Sequence, residues 1–162
     1  MARVEKSVEI ERPLRMVYDQ WTQFEEFPRF MEGVEEVLQL DDKTLHWKAK
    51  IGGKTEEWDA EIVHQQPDQS IAWRHTRGAV NAGTVTFTPI DAERCRVSLA
   101  LEYDPKGFIE KIGDILGIVS RRVEGDLARF KKFIEERGSE TGAWRGEIRP
   151  GGEVDPHPGG QH

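Results

Sequence analysis

The sequence predicts one α+β domain. A curved antiparallel sheet of about six or seven strands wraps round a long C-terminal helix, with two short helices after the first strand. Three observations carry this reading. Apolar residues alternate with polar ones from Val34 to Tyr103. From Gly107 to Gly138 the period changes, and Ile112, Leu116, Val119, Val123, Leu127, Phe130 and Ile134 recur at helical spacing. The strands show one apolar face each, so the sheet needs a cover on one side, and the helix needs a surface for its single apolar stripe.

The elements follow in order. In VEKSVEIE, Val4, Val8 and Ile10 share one face of a strand. Pro13 suits the opening turn of a helix, and Leu14, Val17 and Trp21 give that helix an apolar side. Phe24, Phe27, Phe30 and Met31 surround Pro28, which predicts a separate short helical piece. LHWKAKI and KTEEWDAEIV flank Gly52-Gly53, a two-residue hairpin signal. With those glycines as the turn, Ile51 opposes Lys54 and Trp47 opposes Trp58, while Lys48 meets Glu57 and His46 meets Asp59 on the other face. Apolar residues face apolar ones and charges face countercharges, so the register is self-consistent. SIAWRHT puts Ile71, Trp73 and His75 on one face. GTVTFTP and CRVSLALEY pair through a turn at Asp91–Arg94, setting Phe87 against Val97, Val85 against Leu99 and Thr86 against Ser98. Gly138 is a natural helix stop.

Composition bounds what such a domain does. The 162 residues suit a single domain over residues 1–138. Residues 139–162 are rich in Gly, Pro and charge without apolar period and read as a disordered tail, in which Trp144 is the one odd residue, either exposed or docked back onto the domain or a partner. Lys and Arg number 23 against 30 Asp and Glu, a formal charge of −7, which disfavours a nucleic-acid partner. No apolar run is long enough to span a membrane and no hydrophobic leader opens the chain, so the expected location is cytoplasmic. A single cysteine, Cys95, sits in a strand pattern as a buried thiol. No phosphate loop, metal-ligand spacing or Ser-His-Asp order appears, and neither metal nor cofactor is expected.

Five segments carry a resemblance to a known family: WTQFEEFPRFMEGVEEV (21–37), IGGKTEEWDAEI (51–62), IAWRHTRG (71–78), NAGTVTFTP (81–89) and RRVEGDLARFKKFIEERG (121–138). They resemble the START-like helix-grip superfamily, and within it the polyketide cyclase/dehydrase and lipid-transport branch in its small actinobacterial-type members. The resemblance spans roughly residues 3 to 138. It implies a helix-grip fold with a ligand pocket between sheet and C-terminal helix. It carries over no catalytic motif residue by residue, and activities diverge on this scaffold.

The strand registers supply the candidate site. Trp47, Trp58, Trp73 and Tyr103 point inward, and at this point lining a pocket and filling the core are equal readings. The expected wall comprises Trp47, Glu56, Trp58, Trp73, His75, Asn81, Val85, Leu101 and Tyr103. It faces Phe108, Ile112, Leu116 and Val119 on the helix. His75 is the one good proton-handling group on that face, with Tyr103 or Glu56 beside it as the catalytic alternative. His46 and Asp59 form a pair on the outer, solvated face. The leading function is binding of a small hydrophobic or aromatic molecule, polyketide-, lipid- or quinone-like. A cyclase, aromatase or dehydrase using the same cavity is the enzymatic alternative. A protein-interaction module, as homodimer or with an unidentified protein partner, is the third.

Overall fold

The computed structural model describes residues 2–51, 53–78, 80–104 and 115–157, without the side chains of Ile51, Ile115 and Leu116. The first strand, β1 (Ala2–Ile10), leads into helix α1 (Leu14–Trp21) and a 3-10 helix (Phe24–Arg29) containing Pro28. Pro13 caps α1 with extended ψ, and Thr22 ends it, its hydroxyl donating to the Asp19 carbonyl at 2.6 Å. Six strands follow: β2 (Val34–Gln39), β3 (Thr44–Ile51), β4 (Lys54–Gln66), β5 (Ser70–Gly78), β6 (Asn81–Asp91) and β7 (Arg94–Tyr103). The long helix α2 (Ile115–Arg137) closes the domain, and Gly138 ends it in the left-handed region at φ 75°.

The sheet runs β1-β7-β6-β5-β4-β3-β2, all antiparallel. The chain therefore lays β2 to β7 down as a meander and uses β1 to extend it past β7. The sequence registers hold: Trp47 pairs with Trp58, Lys48 with Glu57, His46 with Asp59 and Ile51 with Lys54. Phe87 pairs with Val97, Val85 with Leu99 and Thr86 with Ser98. The β4–β5 ladder is bulged twice, first with Thr76 as the extra residue on β5 and then with Val63 as the extra residue on β4. The second turns Gln65 inward, fully buried, where unbroken alternation would have put His64.

The inner face packs on α2 through Val123, Leu127, Phe130 and Ile134. The C-terminal end of α2 is tied to the end of β1. Lys131 donates to the Glu9 carbonyl at 2.9 Å, and the Glu11 N–H donates to Glu135 at 2.7 Å. Trp21 meets Phe27, Phe87 and Phe130 edge to face, with centroids 5.0–6.2 Å apart. This knot of rings joins α1, the 3-10 helix, the sheet and α2.

One expectation is corrected. The segment after Gly138 is not a disordered tail as far as residue 157. It crosses the end of the domain and adds two short strands, β8 (Glu147–Ile148) and β9 (Val154–Asp155), which make the sheet nine-stranded. Ile148 pairs with Gln65 of β4 and is fully buried. Arg145 bridges Asp19 at 2.5 Å and Asp68 at 2.6 Å, with its guanidinium over the Tyr18 ring. The Thr141 and Trp144 N–H groups donate to Gln20 and Thr22. Long-range partners order this segment, and its own composition reports none of them.

Candidate functional site

A cavity of about 180 Å³ lies between the inner sheet face and α2, on the side of the β3–β4 hairpin. Four groups of side chains build its wall. Trp47 and Trp58 stack across the hairpin with centroids 5.7 Å apart and planes 8° from parallel. Trp73, Leu99 and Leu101 continue the sheet floor. Phe24, Phe27 and Met31 come from the 3-10 helix and the residues just beyond it, Phe27 lying 5.6 Å from Trp47. Ile118, Val119 and Val123 are the helix side.

Gly83 has a local role here. A Cβ at this position would collide with the Trp73 indole, so the glycine lets that ring lie flat against β6. Polar groups on the floor are few. Asn81 and Tyr103 face each other in register at one end, 4 % and 1 % exposed.

A polar collar rims the side nearest solvent. Asp126 on α2 accepts the Glu32 N–H at 2.9 Å and an Arg129 N–H at 2.5 Å. Burial pushes the Asp126 carboxyl above its ordinary range, while Arg129 and the Glu32 N–H pull it back. Arg122 donates through Nη1 to the carbonyls of Glu32 at 2.8 Å and Lys50 at 3.3 Å. It thereby ties α2 to the turn before β2 and to the tip of the β3–β4 hairpin. Gly33, at φ 84°, leaves the space that the guanidinium occupies.

The expected wall is partly assembled. Trp47, Trp58, Trp73, Asn81, Leu101, Tyr103 and Val119 all line the cavity. Three expected members do not. Val85 is fully buried in the solid core. Glu56 is on the inner face beside the hairpin end and pairs with Lys54 at 3.2 Å. His75 has the predicted parity but borders a neighbouring shallow depression with Arg74, Thr76, Val80, Asn81 and Ala82, of which only Asn81 also lines the cavity. His75 pairs with Ala60 in the same register that pairs Trp73 with Ile62, and it stands two residues beyond Trp73, outside the cavity lining. Phe108 and Ile112, and the side chain of Leu116, lie outside the described residues.

Sequence reasoning missed the contribution of Phe24, Phe27, Met31 and Trp21, and the anchoring of Arg122 and Asp126 in the collar. The signal for the first group was present, since so dense an aromatic cluster before the first hairpin exceeds what a short helix buries alone.

His46 sits between Asp59 at 2.5 Å and Glu57 at 3.1 Å on the outer face, with Arg77 on Asp59 at 3.0 Å. Its two carboxylate hydrogen bonds raise the imidazole's pKa. Cys95 is buried in apolar surroundings that push its thiol up to about 11. Among the described residues no three His, Cys, Asp or Glu side chains cluster as a metal site. No helix among them is long and apolar enough to cross a membrane.

Comparison with known proteins decides the family. Residues 10–132 match the family described as polyketide cyclase / dehydrase and lipid transport. The chain belongs to that family. A relative from Streptomyces lincolnensis, described as an uncharacterized 17.2 kDa protein in the melC2-rnhH intergenic region, is 49% identical over 149 residues. The match covers 91% of this chain and 99% of that one. A crystal structure from Deinococcus radiodurans is 28% identical with a TM-score of 0.66, covering 85% of this chain and 99% of the other. The Zhui aromatase/cyclase from Streptomyces sp. R1128 superposes with a TM-score of 0.73 over 88% of this chain and 98% of its own. At 18% identity that likeness establishes the START-like fold alone. The helix-grip architecture read from the strand and helix periods is the fold of this family, and it is a ligand-binding fold.

Proposed function

We propose that the domain binds a small, largely apolar aromatic molecule, of polyketide-, lipid- or quinone-like character, in the cavity between the sheet and α2. The stacked Trp47–Trp58 pair beside an unfilled apolar space carries this reading. Two parallel indoles offer a flat face to a ring, and ring-on-ring contact adds roughly 0.5–1.5 kcal/mol to simple burial. An apolar cavity of about 150 Å³ suffices for benzene, so the space here suits a body of one or two rings. Asn81 and Tyr103 give that body a polar end to meet a carbonyl or hydroxyl. Binding precedes catalysis in this reading because His75, the expected base, borders a different depression.

Titration of tryptophan fluorescence with 2-methylnaphthalene, paired with native mass spectrometry, tests it. Saturable quenching and a one-to-one adduct are expected. Trp58→Ala is expected to weaken binding about tenfold, while His75→Ala changes it by less than about twofold. Absence of quenching and of an adduct would refute the reading. Equal loss in both variants would move the site toward His75.

A further inference from the structure

Resting on the cavity reading above, we infer that the ligand is an aromatic acid whose anionic oxygen is held by Arg122 at the cavity's open side. Arg122 is the one cation lining the cavity among the described residues. Both acids in the lining are already engaged. Asp126 holds Arg129 and the Glu32 N–H, and the Glu32 carboxylate lies 3.4 Å from Arg129. Arg122 has no carboxylate within ion-pair distance among the described residues, although its charge draws on Asp126 at longer range. Its hydrogen bonds go to two neutral carbonyls, both through Nη1.

A guanidinium carries five N–H donors in a fixed planar fork. With Nη1 anchored to the backbone, the Nε and Nη2 edge remains for a planar oxyanion, and the anchoring fixes its direction in advance. The rest of the wall sets the ligand's orientation. A carboxylate or phenolate pushed toward Trp47, Trp58 and Leu101 would lose its water without a compensating charge. The ring therefore enters first and the acid stays at the half-exposed collar.

The probes are 2-naphthoate and its neutral isostere 2-naphthamide, titrated calorimetrically at pH 7.5 into the wild type, Arg122→Gln, Arg122→Lys and Arg77→Gln. Arg77 lies on the outer face and serves as the control. The wild type and Arg77→Gln are expected to prefer naphthoate by about tenfold, the return on one charge-assisted contact. Arg122→Gln is expected to bring the two affinities within about twofold while keeping the naphthamide affinity. Arg122→Lys keeps a smaller preference, because a point charge lacks the fork.

Equal affinities in the wild type would overturn the inference and leave the cavity reading standing. So would a preference that survives in a folded Arg122→Gln. Failure of both probes to bind would instead take down the cavity reading, and this inference with it. If Arg122→Gln does not fold, the wild-type preference and its reduction in Arg122→Lys decide the matter.

Discussion

The two ends of the interior are built from the same alternating strands and the same helix, yet one is solid and the other hollow. At the α1 end, Ile10, Tyr18, Val97, Phe130 and Ile134 are all fully buried. At the hairpin end, Trp47, Trp58, Trp73, Leu101 and Val119 are only partly buried and surround open space. The difference lies in what is inserted between sheet and helix. Rings from α1 and the C-terminal half of α2 fill the first end, and the segment after Gly138 straps it from outside. At the second end the large rings stand on the sheet itself and stack on each other, so they line the volume without filling it. Solid packing and open volume are thus separated along one helix, and substitutions at the two ends are expected to behave differently.

The largest contrast is in the cost of truncation. Phe130→Ala is expected to destabilise by about 3–5 kcal/mol, since no neighbour can collapse into the space. Val119→Ala, whose side chain already borders a void, should cost about 1 kcal/mol or less. Urea denaturation measures both, and similar losses would erase the distinction between the ends.

Next is the strap. Arg145→Ala leaves the buried Asp19 carboxylate with only the longer, exposed Arg15 contact at 3.9 Å and is expected to cost about 2–4 kcal/mol. Burial raises the Asp19 pKa above its ordinary value and Arg145 holds it down. Removing Arg145 lifts it further, so the stability lost as pH rises through the folded pKa grows. The variant's deficit should therefore be larger at pH 8 than at pH 4, and a pH-independent deficit would contradict the role given to Asp19.

Filling the hollow end is a gentler change. Val119→Phe is expected to lower ligand affinity at least tenfold while shifting stability by no more than about 1 kcal/mol, because the ring enters existing space. Unchanged binding in a folded variant would show that the ligand sits elsewhere.

The smallest effect belongs to the outer face. His46 faces Asp59 and Glu57, with Arg77 also on Asp59. Its folded pKa lies above the ordinary 6.5. The stabilisation is present in full below 6.5 and is lost as pH rises through the folded pKa. His46→Gln is expected to cost about 0.5–1 kcal/mol at pH 6 and less at pH 9, the usual scale for a half-exposed pair.

Much of this arrangement was legible in the residues. Strand parity and the Gly52-Gly53 turn gave the Trp47–Trp58 pairing, because a period of two leaves one consistent register when one face is buried. Position along a strand was less legible than parity. His75 is on the predicted face and opposite Ala60, but it stands two residues beyond Trp73 and outside the cavity lining, and parity alone does not say where along a strand a cavity ends. The strap was legible only at Trp144, whose place in a polar segment allowed docking onto the domain. Its order comes from single residues meeting distant partners: Ile148 on Gln65, and Arg145 on Asp19 and Asp68. Such contacts leave no period in the local sequence. The anchoring of Arg122 to the distant Glu32 and Lys50 carbonyls escaped for the same reason.

The most direct test of the hollow end follows the indole N–H resonances in a ¹H–¹⁵N correlation spectrum during titration with 2-naphthoate. Trp47, Trp58 and Trp73 line the cavity, and Trp144 lies in the strap at the other end. Saturable shifts at Trp47, Trp58 and Trp73 with Trp144 unmoved are the expected result. Shifts confined to Trp144, uniform small shifts at all indoles, or no shift at any concentration would contradict the account.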